Sequence, residues 1–355
     1  MNKEIKIHSS LYDYSVEFVE SFASQLVMFQ ENTAYVIDRR VYELYKDSMK
    51  DISLENIYFV DALEEYKNMD TIMKIVAFWK ERKVHKNWKV VCIGGGIVQD
   101  VTTFASNIYL RNIDWYFFPT TLLSMCDSCI GGKCGINLGA YKNQLGVFYP
   151  PKRIYIATEF LKTLTDDDYI NGWGELLKFS LTENISFYDQ LEKEGQYVPC
   201  DKIDEYIYMG LQVKKHIIEQ DEFDSDLRRV LNYGHTFGHA LEAYTHNEIP
   251  HGKGVIWGID VVNYIAYRQG VITQNDYMRV KKLIHAHFIK DEIVIKEPDE
   301  LFQILFTDKK VKDNTVFLAI PDHLGSLIIY PMKLDDKLLN LFTQYLEETH
   351  ALYCC

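Results

Sequence analysis

The chain of 355 residues has no surplus of positive charge: 38 Lys and Arg stand against 51 Asp and Glu, a net charge of −13. That excludes nucleic acid or an anionic membrane surface as the main partner, since both are bound through a basic face. A local basic pocket for a small anion stays compatible with such a total. The sequence also lacks any apolar run near the ~20 residues that span a bilayer. Its start, MNKEIKIHSS, is charged and has no signal-peptide core. The expectation is a cytoplasmic protein with no membrane partner. A disulfide framework is missing too, because the 7 cysteines are odd in number and unevenly spaced. Cys126-x-x-Cys129 with Cys134 nearby imitates half of a metal or redox motif, but no second C-x-x-C accompanies it. The closing Cys354-Cys355 does not fit a prenylation box. Internal repeats, low-complexity tracts and long linkers are likewise absent.

What is present is an ordinary globular composition, 47% hydrophobic and 25% charged, on a chain long enough for two domains. In the first half, β-branched and aromatic runs alternate with helical spacing. Strands are expected at 34–38, 57–60, 88–93 and 115–118, with helices at 70–82 and 100–109. Such alternation predicts a parallel α/β sheet. From about residue 160 the pattern is mainly helical, at 166–178, 186–194, 204–220, 230–245, 255–269, 274–286 and 333–350, with a short strand at 315–320. We therefore expect a nucleotide-type domain over 1–160 and a helical domain over 161–355, with the functional site in the cleft.

The most informative stretch is Leu231 to His251, LNYGHTFGHALEAYTHNEIPH. His235 and His239 are one helical turn apart on one face, and His251 follows an Ile-Pro break. Spacing alone favours His235 and His239 as a ligand pair for a divalent ion, joined by His251. A hydrogen-bonded helix pair with a surface histidine is the alternative. Gly94-Gly95-Gly96 follows a strand and opens a helix, so its backbone N–H groups suit a pyrophosphate, although Gln99 stands where a third glycine is usual. Asp127 to Lys133, followed by Lys142-Asn143, is a second glycine-rich loop with lysines for phosphate. Glu175 and Lys178 are three apart among apolar neighbours, and a buried glutamate needs a cation. Arg228 and Asn232 are spaced to lie one turn apart and one turn before His235; an arginine there suits a carboxylate.

Together with Glu64-x-x-Lys67, Tyr109-Leu-Arg111, Pro119-Thr120-Thr121, Lys214, Asp221-Glu222 and Asp308-Lys309-Lys310, these segments run in the order of the 3-dehydroquinate synthases and related sugar phosphate cyclases. The chain resembles that family over roughly residues 34 to 320. The resemblance implies an α/β Rossmann-like N-terminal domain and a mainly α-helical C-terminal domain. It implies NAD⁺ held by Asp38, Glu64, Lys67, Gly95, Gly96, Asp100, Thr120, Thr121 and Lys142. It implies a divalent metal, zinc or cobalt, held by Glu175, His235 and His251, which leaves His239 a catalytic or phosphate-contacting role. Lys133, Asn143, Lys178, Lys214, Arg228, Asn232 and Lys310 would surround a phosphorylated sugar, with Asp127 on its hydroxyls.

The reaction so implied is transient oxidation of a carbinol by NAD⁺, phosphate elimination, return of the hydride and an intramolecular aldol closure, with no net redox change. Arg228, Asn232 and the Asp308-Lys309-Lys310 triplet favour a substrate with a carboxylate, 3-deoxy-D-arabino-heptulosonate 7-phosphate. Neutral alternatives are sedoheptulose 7-phosphate, glucose 6-phosphate or an amino analogue. A metal-dependent polyol dehydrogenase and an inactive binding paralogue are the further readings. The resemblance also implies a homodimer. The chain departs from the family pattern at Arg40, Leu63, Gln99, Cys129, Cys134 and Lys253, which marks a divergent copy.

Overall fold

The computed structural model describes residues 3–353 except 140, 184, 195–201, 247, 288–292, 294 and 307–312. It divides into two compact units, Met1–Gly172 with Lys214–Phe223, and Trp173–Val213 with Asp224–Cys355.

The first unit is built on a 7-stranded sheet. An antiparallel pair, β1 (Glu4–Ile7) and β2 (Tyr14–Phe18), precedes the parallel strands β3 (Thr33–Asp38), β4 (Ile57–Val60), β5 (Lys89–Gly94) and β6 (Trp115–Pro119). A hairpin of β7 (Ile136–Leu138) and β8 (Tyr141–Leu145) leaves the sheet, and β9 (Arg153–Ile156) returns to it. Helices α1 (Phe22–Leu26), α2 (Arg39–Tyr45), α3 (Met69–Glu81) and α4 (Gly96–Ile108) connect the strands. Val36, Ile37 and Val90 to Ile93 are wholly buried. That burial on both faces explains why these strands read as continuous apolar runs rather than alternating ones. The parallel strands run in the order β4-β3-β5-β6-β9-β2. The winding reverses between β3 and β5, and ligands of doubly wound sheets bind outside the carboxyl ends of the strands at that point. Those ends are Asp38 and Gly94.

The four anticipated strands are present within two residues of their expected bounds. Two differences stand out. The sequence pattern showed neither β1, β2 nor β9, which complete one side of the sheet. Helix α4 begins at Gly96, one turn before the expected Asp100, so the glycine turn itself is the helix N-terminus.

Beyond the first sheet the chain is mainly helical, as expected: α5 (Asp166–Thr182), α6 (Ile185–Glu194), α7 (Ile203–Gln220), α8 (His235–Tyr244), α9 (His251–Arg268), α10 (Gln274–His287), α11 (Pro298–Leu305) and α12 (Asp336–Tyr353), of which α11 had no counterpart in the sequence pattern. A hairpin of β10 (Thr315–His323) and β11 (Ser326–Lys333) joins them. No helix among the described residues is long and apolar enough to cross a membrane.

One expected helix is corrected. Residues 230–245 do not form a single element. A 3-10 turn, Leu227–Asn232, ends at Tyr233, and Gly234 sits at φ +77° before α8 starts. A left-handed residue ends any right-handed helix, and glycine is the residue that takes it without strain. Arg228 and Asn232 therefore do not share a helix face with His235.

Glycine also sets how close the helices of the second unit lie. A Cβ on Gly258 would stand 1.9 Å from the carbonyl oxygen of Gly234, and one on Gly238 2.8 Å from that of Gly254. A Cβ on Gly174 would stand 2.6 Å from the carbonyl oxygen of Gly252. Thus α8 meets α9, and α5 meets α9, main chain to main chain. Any side chain larger than hydrogen would push the helices apart.

Candidate functional site

These seams carry three side chains to one point. Glu175 projects from α5, His235 from the first residue of α8 and His251 from the first residue of α9. Glu175 is 0% exposed. Its Oε1 lies 3.2 Å from His235 Nε2 and 3.3 Å from His251 Nε2, while its other oxygen meets Lys178 Nζ, one turn along α5. Lys178 is itself buried.

The far nitrogens of both rings are engaged. His235 Nδ1–H donates to the Tyr233 carbonyl at 3.1 Å, and His251 Nδ1–H donates to Glu242 Oε1 at 2.8 Å. In the neutral rings both Nε2 atoms then present lone pairs to a carboxylate oxygen. Three acceptors turned toward one another attract a cation, whether a proton on an imidazole or a metal ion.

The spacing fits one. Ligands about 2.0–2.1 Å from a tetrahedral zinc lie about 3.3 Å from each other. All three ligand atoms fall within 4.8 Å of one another. One carboxylate and two imidazoles make three protein ligands, the number that leaves a coordination position open for chemistry. The residues therefore suit a catalytic divalent metal.

Proton equilibria show the same electrostatics. Burial by itself would raise the Glu175 carboxyl, but Lys178 and then His235 hold it well below the usual carboxylate range. Burial would lower His251, but Glu175 and Glu242, one on each ring nitrogen, lift it to about 10. His235 is lowered by burial, which Glu175 only partly offsets.

His239 also reaches this cluster. Its ring centroid lies 5.3 Å from that of His235 and 5.7 Å from that of His251, and it stacks on the latter. His239, Glu242 and His251 form a second group close enough to share an ion. The structure thus gathers His235, His239 and His251. The carboxylate touching His235, however, comes from Glu175 on another helix. Glu242 is a partner that the sequence reading missed. It follows His235 by seven residues, two turns along the same face, and that spacing was a usable signal. Arg228 is buried at 6% exposure, and Asn232 Nδ2 donates to the Arg229 carbonyl. Lys310 lies outside the described residues.

In the first unit, a cavity of about 570 Å³ opens at the strand-order reversal, lined by Asp38, Arg40, Leu63, Gly95, Gly96, Thr120 and Thr121 among others. Asp38 caps α2 by accepting the Arg40 backbone N–H at 2.9 Å, and burial raises its carboxyl above the ordinary value. Gly95 approaches Thr121 so closely that a Cβ would meet its methyl at 3.0 Å.

Glu64, Lys67, Asp100 and Lys142 are not in this lining. Lys67 Nζ pairs with Asp100 Oδ2 at 2.9 Å. Burial raises the Asp100 carboxyl to about 6 although Lys67 opposes it. Glu64 Oε1 accepts from Asn137 at 2.8 Å, and Asn137 in turn accepts the Asn143 backbone N–H at 2.9 Å. Lys142 and Asn143 are exposed on β8, and Lys133 is exposed before β7. Lys214 Nζ bonds both Asp127 Oδ1 at 2.5 Å and the Asp127 carbonyl at 2.6 Å.

Residues 57–171 match the family description 3-dehydroquinate synthase N-terminal, and residues 172–311 match 3-dehydroquinate synthase C-terminal. The chain belongs to the 3-dehydroquinate synthase family. The junction of the two matches lies within one residue of the division between the compact units. The 3-dehydroquinate synthase of Clostridium tetani is 34% identical over 325 residues, 89% of this chain and 84% of the relative. Two solved structures share the fold of this family member. A 2-deoxy-scyllo-inosose synthase complexed with carbaglucose-6-phosphate, NAD⁺ and Co²⁺ superposes with a TM-score of 0.85 at 19% identity, covering 98% of this chain and 99% of that one. The 2-epi-5-epi-valiolone synthase of Streptomyces hygroscopicus subsp. jinggangensis 5008, with NAD⁺ and Zn²⁺ bound, gives 0.79 at 24% identity, covering 95% and 97%.

Proposed function

We propose that this family member cyclises 3-deoxy-D-arabino-heptulosonate 7-phosphate with elimination of phosphate, a reading supported by its similarity to proteins named 3-dehydroquinate synthase. The chain is an enzyme, a phosphate-eliminating lyase dependent on NAD⁺ and on a divalent metal, zinc or cobalt. The observation that carries this reading is the convergence of the Glu175 carboxylate with two imidazoles whose far nitrogens are already engaged. When bound, NAD⁺ takes and returns a hydride while the metal polarises the reacting oxygen.

The chain's own residues do the rest. Glu175, His235 and His251 would hold the metal. Glu242 and the Tyr233 carbonyl orient the two rings, as outer partners of metal-binding histidines do. Asp38, Gly95, Gly96, Thr120 and Thr121 are assigned to NAD⁺, with the α4 N-terminus offering backbone N–H groups to its phosphates. Lys67 with Asp100, together with Glu64 and Lys142, would complete that set. Lys133, Asn143, Lys178, Lys214, Asn232 and Lys310 are assigned to the phosphorylated sugar, with Asp127 on its hydroxyls. His239 is exposed and rests against His251, which suits a group that exchanges protons with substrate. Buried Arg228 is the assigned partner of the substrate carboxylate.

A phosphate-release panel tests the assignment. The metal-loaded protein with NAD⁺ is given the heptulosonate phosphate, sedoheptulose 7-phosphate and glucose 6-phosphate, with and without a chelator. Chelator-sensitive release from the first substrate, with no net NADH, is expected. Release only from a neutral sugar phosphate would move the substrate assignment, and release from none would refute the cyclase reading. Net NADH with a simple alcohol would instead indicate a polyol dehydrogenase. Arg228→Ala is expected to lower kcat/KM on the carboxylate substrate by about tenfold to a hundredfold, the worth of a charged hydrogen bond. An equal loss on a neutral sugar phosphate would contradict the carboxylate role. We also propose a cytoplasmic homodimer, which light scattering of the purified protein tests for mass.

A further inference from the structure

Gln99 occupies the place where a dinucleotide turn usually has its third glycine, and it does not simply fill space there. It is 3% exposed on α4. Its Nε2 donates to the Ser128 carbonyl at 2.7 Å, and its Oε1 accepts from the Ser128 hydroxyl at 2.6 Å. A carbonyl oxygen can only accept, so the amide can face only this way round. A buried amide is tolerable because both its ends are satisfied by one residue.

Ser128 is the last residue of a π-turn, Ser124–Ser128, a rare geometry that concentrates at functional sites. The opposite end of this turn is tied at Thr121, whose hydroxyl bonds the Ser124 hydroxyl at 2.9 Å. Asp127 sits one residue before the Gln99 contact, and it is Asp127 that holds the Lys214 ammonium through both a carboxylate and a carbonyl oxygen.

We infer that Gln99 is a positioning residue: its side-chain amide latches the π-turn to the cofactor-turn helix and so fixes Asp127, and through it Lys214, for the substrate. The inference rests on the reading above that Asp127 and Lys214 face the phosphorylated sugar. Glycine at position 99 could form neither bond, so the latch is a property of this chain's departure from the usual glycine fingerprint.

Gln99→Met keeps the volume and removes both hydrogen bonds; Ser128→Ala removes one. Each variant, and the double variant, is compared with wild type for KM, kcat, NAD⁺ affinity and the acylation rate of Lys214 read by mass spectrometry. The expected result is a rise in KM of about tenfold in each single variant, in keeping with the sensitivity of a site to sub-ångström misplacement. We expect kcat to change far less, NAD⁺ affinity to stay at the wild-type value, Lys214 to acylate faster, and the double variant to be no worse than the poorer single. Wild-type KM and wild-type Lys214 acylation in Gln99→Met would overturn the inference. So would losses that multiply in the double variant, or NAD⁺ affinity falling in step with KM. If the wild type turns over no sugar phosphate, it is the functional reading that falls, and the acylation rates alone then decide the latch. Should Gln99→Met not fold, Ser128→Ala carries the same comparison.

Discussion

The two units prepare for a ligand in opposite ways. In the first, the cavity at the strand-order reversal is framed by main chain: the Gly94 to Gly96 turn, the α4 N-terminus and the end of β3 at Asp38. In the second, the candidate metal centre is all side chain, and the main chain contributes by getting out of the way at Gly174, Gly234, Gly238, Gly252, Gly254 and Gly258. A site framed by backbone tolerates new side chains around it, and Arg40 and Leu63 have entered there. A site framed by side chains tolerates no change of ligand and, less obviously, none at the glycines behind the ligands.

That contrast can be broken or sharpened by mutation. The largest effect should follow Glu175→Gln. Among the described residues it removes the only carboxylate within reach of both Nε2 atoms, and metal analysis of the purified variant should find the ion gone. Activity should fall by about three orders of magnitude, the equivalent of several kcal/mol, while NAD⁺ binding is retained. Retained metal would break the ligand assignment. Next comes Gly258→Ala, a single methyl two turns along α9 from His251. With a carbonyl oxygen 1.9 Å from the new carbon, overpacking should cost about 3 kcal/mol, visible as a lowered thermal midpoint with metal affinity falling alongside. An unchanged midpoint would show that the seam can relax. Glu242→Gln should be milder. Losing the carboxylate partner of a ligating histidine lowers metal affinity about tenfold to a hundredfold, measurable by competition with a chelating dye. The smallest effect is expected in the backbone-framed site. Gly95→Ala adds a carbon 3.0 Å from the Thr121 methyl, a contact that a small shift relieves, so NAD⁺ affinity should weaken by no more than about fivefold, or about 1 kcal/mol. A collapse of NAD⁺ binding there would erase the contrast.

The same asymmetry governs what could be read in advance. Strands β3 to β6 were legible because burial on both faces leaves a continuous apolar run. β2 carries a different signal, the apolar/polar alternation of Tyr14-Ser15-Val16-Glu17-Phe18, which is not a continuous apolar run, and beside the nearby β1 it pairs with the distant β9. β11 carries Pro331, which argues against a strand until one sees that its two-stranded sheet has an edge to spare. In the candidate site, the family pattern singled out Glu175, His235 and His251, whereas spacing alone favoured His235 with His239. The rings of His235 and His239 do meet, but the carboxylate between the imidazoles arrives from α5, sixty residues earlier along the chain. Helical periodicity has no means of expressing that. The break at Gly234 was hidden for a different reason. A positive φ leaves no trace beyond the glycine itself, and the apolar spacing on either side continued through it. The glycines at 234, 238, 254 and 258 were visible throughout; Gly254 and Gly258 lie one turn apart on one face of α9, while Gly234 precedes α8 and Gly238 is buried within it.

The bare glycines have a consequence for which ion the protein accepts. A Cβ on Gly258 would meet the Gly234 carbonyl oxygen, so the backbones that carry His235 and His251 lie as near as main chain allows. What they deliver to one point, with Glu175, is two imidazole nitrogens and one carboxylate, a borderline donor set that suits zinc or cobalt. Calcium, which asks for six to eight oxygen partners at about 2.3–2.6 Å, is offered too few.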